Sequence, residues 1–282
     1  MMKRKIMIIV AVTMVLIALA ACADNDEPEI PEYITIYGQF ATREFSTALT
    51  ELDLNAWALT CEMIAPLQYM VNLTSLHLSG NRISDLTPLA GLTNLTSLHL
   101  GSNQISDLMP LVGLTNLTEL GLNQNEISDI APLGELRNLE RLSLIGNQIS
   151  DIKPLADLME LMELVLNDNQ INDIIPLSGL TNLTGLYLSF NQVSNLSPLA
   201  DLVNLEILNL ADNAIDNITP LAGLTRLTHL VLLNNEITDI TSLAGLPDLT
   251  ELFLGGNPIE DWSPVDHIEF DWIREDIMGR YR

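Results

Sequence analysis

The side chains of this chain that could carry out chemistry are few, and one fixed spacing in the sequence relates them. His77 and His99 differ by 22 in residue number (99 − 77 = 22), and so do His229 and Glu251 (251 − 229 = 22). Two histidines in adjacent layers of a fold could share a metal ion or repel each other when protonated. The next position of the series is Gly121, which supplies no third ligand, so neutral polar residues are the favoured interpretation of the two histidines. No activated serine or cysteine accompanies His229 and Glu251, so the sequence predicts neither an enzyme nor a bound metal or cofactor.

A column of carboxylates has the same spacing and allows two interpretations. Oxygen ligands suit Ca²⁺, but Asp85 also stands three residues before Pro88, as in an Asx-turn or a helix N-cap with proline in the first turn. We therefore expect capping. The column consists of Asp85, Asp107, Asp129, Asp151, Asp173, Asp239 and Asp261.

The positions between these side chains define the elements that must hold them. Three leucines precede each asparagine of a matching series at fixed offsets; for the first asparagine they are Leu73, Leu76 and Leu78. A period without slip over nine copies predicts a single solenoid in which each coil stacks on its neighbours. The asparagines are Asn81, Asn103, Asn125, Asn147, Asn169, Asn191, Asn213, Asn235 and Asn257.

One unit, residues 73–94, shows how a coil should form. Residues 76–78 alternate apolar and polar, which predicts a short strand with His77 facing outward. Stacked coils would pair such strands in parallel, about 4.8 Å apart. Asn81 follows at the turn, where an inward amide can bond backbone groups of its own and adjacent coils. The nine asparagines would then form a structural ladder.

The pattern L-x-x-L-x-L-x-x-N-x-I-x-D-L-x-P-L-x-x-L resembles a leucine-rich repeat, and its length and proline resemble the internalin and phosphatase-regulator type. This resemblance covers residues 73–270. It implies an α/β solenoid, a curved right-handed coil with a concave parallel β-sheet and convex 3₁₀ or short helical segments. The departures from the pattern are Val193, Asn195, Asn217 and Ser242.

The two ends of the solenoid need caps, because a bare terminal coil would expose its apolar face. We expect an N-terminal cap and an irregular first coil over residues 33–72, with Ile34–Ile36 as an edge strand and two extra residues around Asn55–Trp57. Nine repeats follow over 73–270, and residues 271–282 form a C-terminal cap or tail. Trp262, Phe270 and Trp272 are expected to cover the last coil. The appended domains of an internalin are not seen, so that family's host-invasion role is not carried over.

The N-terminus has the pattern of an export signal. A basic segment at residues 3–5 precedes an apolar stretch over residues 6–20, which predicts a signal peptide over residues 1–21. That stretch is short for a bilayer span, which needs roughly 20 apolar residues. Residues 22–32 are acidic and contain proline, which predicts an extended tether.

Residues 19–22, Leu-Ala-Ala-Cys, resemble the lipobox of bacterial lipoproteins. The resemblance implies cleavage before Cys22 and a thioether-linked diacylglycerol on its sulfur, at the extracytoplasmic face of the bacterial cell membrane. Two acyl chains give stable anchoring. An ordinary secretory signal and an uncleaved helical anchor are the alternatives. With Cys22 lipidated, Cys61 is the only thiol, so no intramolecular disulfide can form; it is either a partly buried apolar residue or an intermolecular crosslink.

The charge of the chain excludes two classes of partner. The chain has 12 basic and 37 acidic residues, and removing the signal takes away three basic residues and no acidic one. The mature chain then has 9 basic and 37 acidic residues, a formal charge of 9 − 37 = −28. Nucleic acid needs a basic footprint and is excluded as a partner. Anionic lipid headgroups would repel the chain, so only the lipid anchor would hold it at a membrane.

Recognition is expected at the outward strand positions, which the repeat leaves free to vary. In the C-terminal half these positions are apolar or aromatic, and exposed apolar surface with a polar rim often binds partners. We predict a monomer that binds a protein or peptide there. The alternatives are β-propensity filling of exposed strand positions and a structural acidic spacer without a ligand. The predicted patch is Val165, Tyr187, Phe190, Ile207, His229, Val231, Leu233 and Phe253.

Overall fold

A computed structural model describes residues 30–39 and 41–266 and shows one continuous stack of coils. Ten strands form a single parallel sheet in chain order, from β3 to β12. Among the described residues, no helix has the length and apolar character needed to span a membrane. The strands are β1 Tyr33–Tyr37, β2 Thr42–Ser46, β3 Glu51–Asp53, β4 Ser75–His77, β5 Ser97–His99, β6 Glu119–Gly121, β7 Arg141–Ser143, β8 Glu163–Val165, β9 Gly185–Tyr187, β10 Ile207–Asn209, β11 His229–Val231 and β12 Glu251–Phe253.

The side of each coil opposite the sheet carries a short 3₁₀ segment, which confirms the predicted leucine-rich repeat solenoid. Proline stands in the first turn of nine of these ten segments, where its fixed φ suits a helix and its missing N–H is not needed. The 3₁₀ segments are Ala65–Tyr69, Thr87–Leu89, Met109–Leu111, Ala131–Glu135, Lys153–Leu155, Ile175–Leu177, Ser197–Leu199, Thr219–Gly223, Thr241–Gly245 and Ser263–Val265. One α-helical turn, α1, spans Cys61–Ile64.

The core is a stack of leucine layers. From β4 to β12 each strand pairs with the next at a constant offset of one repeat, so that Leu76 lies beside Leu98 and the same holds down the sheet. Each central strand leucine is buried, as are the leucines and isoleucines from the 3₁₀ side of the coil. Identical residues thus fill equivalent positions of every layer, and the period of the sequence is the period of the packing.

Each ladder asparagine joins its own coil to the preceding one. Asn103 Nδ2 donates to Leu100 O of its own coil and to Leu78 O of the coil before, both at 3.0 Å. Its Oδ1 accepts from Ile83 N at 3.0 Å. All nine asparagines make this set of contacts. No buried side-chain nitrogen or oxygen among the described residues lacks a hydrogen-bond partner.

The first coil differs from the sequence prediction in where its extra residues lie. Leu59 N donates to Asn81 Oδ1 at 2.8 Å, as Ile83 N does to Asn103 one coil later. The chain through residues 55–57 is therefore regular in length, and the prediction of an insertion there is wrong. The two extra residues lie after Leu59 and form α1, because a helical turn takes up more residues than the extended connection that it replaces.

The N-terminal cap is a separate antiparallel hairpin of β1 and β2. Ile34 and Ile36 of β1 are buried against the first coil, but the strand does not extend the parallel sheet. Trp57 occupies the ladder position of this coil and packs 6.1 Å from the Phe45 ring of the hairpin. An aromatic residue suits the position because the neighbouring layer is a hairpin and not a coil with free carbonyl groups.

At the other end Val265 is buried and Trp262 packs against the core. Residues 1–29 and 267–282 lie outside the described part of the chain. The predictions for the signal, for Cys22, for most of the tether, and for Phe270, Trp272 and the tail fall there.

Candidate functional site

The concave face consists of the first and third residues of the strands, which point away from the leucine core. The eight residues predicted to form a binding patch lie on β8 to β12 and on the turns that follow them, and we call them the apolar patch. In register, Val165 pairs with Tyr187, and Val231 pairs with Phe253. Most of the patch is half-buried, whereas Phe190 is 59% exposed.

Phe190 combines this exposure with an unusual backbone conformation. Its φ is +55°, in the left-handed region that a bulky residue rarely occupies. The equivalent turn position holds glycine in three coils, for example Gly146, and small or polar residues in six others, including Ala56 of the first coil. The left-handed conformation recurs at this turn position in successive coils, but among the described coils only this one holds phenylalanine there. Sequence reasoning placed Phe190 at the lip of the face and missed the conformation, for which those glycines were the available signal.

The Tyr187 ring lies beside Gly185 of the same strand. A Cβ atom placed on Gly185 would lie 3.4 Å from Tyr187 Cε2 and 3.6 Å from Glu163 Cγ. The tyrosine ring and the Glu163 side chain therefore both lie within van der Waals reach of this glycine. Partial burial, and then the charge of Glu163, raise the pKa of Tyr187, so its hydroxyl stays neutral and able to donate a hydrogen bond.

The N-terminal half of the concave face is polar. The rings of His77 and His99 stack 4.6 Å apart at 8°, and His99 Nε2 lies 3.5 Å from Glu119 Oε1. Burial, and then the neighbouring His77, lower the pKa of His99, while Glu119 opposes the shift. Arg141 pairs with Glu119 at 3.3 Å. A shallow groove of about 200 Å³ lies here, with Gly121 in its lining.

The interpretation of the histidine pair as a metal site gains no support. Each histidine shares a hydrogen bond at 3.2 Å with a serine two residues before it. No group of three or more His, Cys, Asp or Glu side chains in the described part of the chain is arranged to hold a metal ion. The pair acts as a stacked, hydrogen-bonded element of the surface.

The aspartates of the carboxylate column form Asx-turns that lead into the 3₁₀ segments, and each stands one residue before the N-cap position. Asp85 Oδ1 accepts from Thr87 N at 2.8 Å, and each other aspartate of the column makes the same Asx-turn. Asn195 and Asn217, which stand where two aspartates would be, make it equally well. Since a neutral amide serves as well as a carboxylate, the position requires an acceptor and no charge. The hydrogen bonds from Thr87 lower the pKa of Asp85.

The remaining reactive groups form local contacts. His229 Nε2 lies 3.3 Å from Glu251 Oε1, and its Nδ1 lies 2.7 Å from Thr228 Oγ1, a partner that the sequence did not suggest. The Cys61 sulfur accepts from the backbone N–H groups of Ser84 and Asp85 at 3.3 Å. Burial raises the pKa of Cys61, but the hydrogen bond with the Ser84 hydroxyl at 3.3 Å and the two backbone hydrogen bonds together outweigh it, and the pKa lies below its ordinary value.

The chain matches a family described as Leucine Rich repeats (2 copies) over residues 71–112, 115–157, 160–201, 181–223 and 225–267. An internalin (InlF) of Listeria monocytogenes is 33% identical, with 79% of this chain and 73% of that one aligned and a TM-score of 0.68. A leucine-rich repeat protein of Leptospira interrogans is 26% identical over 79% of this chain and 65% of its own, with a TM-score of 0.65.

A plant structure is similar as well. The ectodomain of the Arabidopsis thaliana membrane receptor kinase GASSHO1/SCHENGEN3, solved in complex with Casparian strip integrity factor 2, is 27% identical with a TM-score of 0.66. The alignment covers 80% of this chain and 29% of the receptor. No curated protein matches the chain.

Proposed function

This chain belongs to the leucine-rich repeat family and is of the internalin type, and from that premise we propose that it binds a protein or peptide through the apolar patch of its concave face. Related solenoids are binding scaffolds, and the similar plant ectodomain was solved in complex with a partner. The matches indicate no catalytic family. Function must therefore come from side chains that the repeat leaves free.

The observation that carries the proposal is the left-handed conformation and high exposure of Phe190. A bulky residue in the left-handed region costs about 1–2 kcal/mol, and an aromatic ring that is 59% exposed gains little from burial in return. A position that is strained and also exposed favours a role in contact with something outside the chain. Tyr187 adds a second aromatic group, and Val231 and Phe253 extend the apolar surface across the next coils.

We place the protein at the extracytoplasmic face of a bacterial membrane, held by a diacylglycerol on Cys22. The lipobox-like residues 19–22 and the basic and apolar segments before them support this placement. The test is detergent phase partition of the expressed protein: the wild type should enter the detergent phase and Cys22→Ser the aqueous phase. Equal partition of both proteins would remove the anchor from the proposal.

Binding is tested by recovery of partners from cell-surface and host extracts. The bait is the chain from residue 22 carrying Cys22→Ser, compared with the same bait carrying Tyr187→Ser and Phe253→Ser. A partner that the first bait retains and the second loses supports the proposal. The matched control replaces Tyr33 and Tyr37, two exposed aromatic residues of the N-terminal hairpin, by serine and should retain the partner.

The second candidate function is an acidic envelope spacer without a specific ligand, which the net charge of −25 favours. A spacer needs only length and rigidity, so its outward positions would be interchangeable. Equal recovery by all three baits, with circular dichroism showing that each is folded, would support the spacer and contradict a patch that binds.

A further inference from the structure

The surroundings of the apolar patch are strongly acidic. Residues 154–266 contain 16 aspartates and glutamates against a single basic residue other than histidine, Arg226. The guanidinium of Arg226 is already paired with Glu206 at 2.8 Å. On this part of the concave face itself, the cationic candidate among the described residues is His229, which is paired with Glu251. The patch therefore lies in a negative field that the cations of these coils do not neutralise.

Two carboxylates flank Phe190 directly. Asp168 and Asp212 occupy the same turn position as Phe190 in the coils before and after it, and both share its left-handed conformation. The turns are joined in order by backbone hydrogen bonds, with Asp168 N bonded to Ser189 O at 2.9 Å and Phe190 N to Ala211 O at 3.0 Å. Stacked coils of this kind lie about 4.8 Å apart. The aromatic ring thus projects from a row that carries a carboxylate on each side.

These carboxylates have few hydrogen-bond or ion-pair partners among the described residues. Neither Asp168 nor Asp212 forms an ion pair with a described residue, and Asp212 accepts a single hydrogen bond from Asn234 Nδ2 at 2.8 Å. On the strands, Glu163 repeats the arrangement beside Tyr187, again without an ion pair to a described residue. Two aromatic groups of the patch are therefore each accompanied by acidic side chains with free acceptor capacity.

We infer that the partner of the apolar patch is a basic segment of another protein, with lysine or arginine side chains beside apolar ones. An ammonium or guanidinium group over Phe190 would gain a cation–π contact, and the flanking carboxylates would accept its N–H groups. Apolar side chains of the same segment would cover Val231 and Phe253. The long-range field would also speed encounter with a cationic partner. This inference rests on the proposed function and assigns the chemical class of its ligand.

The test uses a display library of random peptides selected on the chain from residue 22 carrying Cys22→Ser. Selected peptides should contain more lysine and arginine than the unselected library. Binding of the tightest one should weaken about tenfold on Asp168→Asn with Asp212→Asn, since two charge-assisted contacts are lost. Asparagine tolerates the left-handed conformation, so this variant is expected to fold.

The matched control is Asp157→Asn with Asp201→Asn. These two aspartates are 44 residues apart, as are Asp168 and Asp212 (201 − 157 = 212 − 168 = 44), but they lie in exposed turns after the 3₁₀ segments. The control removes the same charge from the opposite side of the solenoid. Binding by the control should stay within about twofold of the parent, since screened charges far from the contact contribute little.

The remaining possible results would contradict either the basic partner, the role of the flanking carboxylates or the proposed function. Peptides that lack basic enrichment but are lost on Tyr187→Ser with Phe253→Ser would reject the basic partner and leave the proposed function standing. Basic peptides weakened equally by both aspartate pairs would show attraction to net charge alone and would reject the flanking carboxylates as a site. Peptides that never depend on the apolar patch would overturn the proposed function and this inference together.

Discussion

Replacing Asn169 by alanine should destabilise the protein by about 2–6 kcal/mol, because it orphans one buried backbone N–H at a cost of about 1–3 kcal/mol and removes two further hydrogen bonds worth about 0.5–1.5 kcal/mol each. The Asn169 side chain donates to Leu144 O at 3.0 Å and Leu166 O at 3.1 Å, and it accepts from Ile149 N at 3.0 Å. Truncation leaves Ile149 N without its partner in a site where Asn169 is only 9% exposed. The two carbonyl groups each keep one hydrogen bond, from Asn147 Nδ2 to Leu144 O and from Asn191 Nδ2 to Leu166 O. The change is large against a typical stability of about 5–15 kcal/mol.

Urea unfolding followed by far-ultraviolet circular dichroism measures this cost. The control is Asn182→Ala, which removes the same side-chain atoms but only one exposed hydrogen bond, from Asn182 Nδ2 to Met159 O at 2.9 Å, and should cost about 1 kcal/mol. A third variant, Asn169→Asp, keeps the acceptor but places a buried negative charge beside the carbonyl oxygens of Leu144 and Leu166, so it should be at least as unstable as the alanine variant. If Asn169→Ala cost no more than Asn182→Ala, the ladder would not be what holds the coils together.

Three further predictions concern single groups. Phe190→Gly should raise the free energy of unfolding by about 1 kcal/mol by relieving the left-handed strain while weakening partner binding; a lower midpoint in urea would contradict the strain argument. The pKa of His99 is lowered by folding, so the unfolded chain binds more protons and stability should fall as the pH drops through 6.5, the ordinary value. His99→Gln should show a smaller fall in melting temperature over that pH range, and an equal fall would contradict the assignment. In the Cys22→Ser chain, Cys61 should react with iodoacetamide at a lower pH when folded than in urea, and Ser84→Ala should reduce that difference; identical pH profiles would refute it.

The match between sequence and structure is closest where the period controls the packing. Leu76 and Leu98 are equivalent in the repeat and are neighbours in the sheet, because a solenoid converts a fixed sequence offset into a fixed spatial step. The inward asparagines and the Asx-turn aspartates follow from the same logic, since each makes its contacts within its own coil or an adjacent one. For such residues local chemistry and a constant register suffice.

The sequence-based prediction of the fold is less accurate where the 22-residue period is interrupted. The first coil has the expected two extra residues, but their location in α1 depends on Leu59 keeping the place of a regular isoleucine, which the spacing alone did not decide. The prediction that Ile34–Ile36 form a strand covering the first coil was correct, since both isoleucines are buried. It did not anticipate that this strand forms an antiparallel hairpin with β2. The cap packs against the solenoid through contacts that occur once, so no repetition reveals them.

The sequence alone determined the family, the parallel stack of coils, the inward ladder, the acidic character and the eight residues of the apolar patch, because each depends on residue type and a constant offset. Only the tertiary structure decided how those eight residues are presented. The left-handed conformation of Phe190, the Tyr187 ring lying beside Gly185, and the carboxylates of Asp168 and Asp212 on either side of Phe190 arise when successive coils come into contact. Backbone conformation and lateral neighbours are properties of the stacked chain, and the proposed binding surface depends on both.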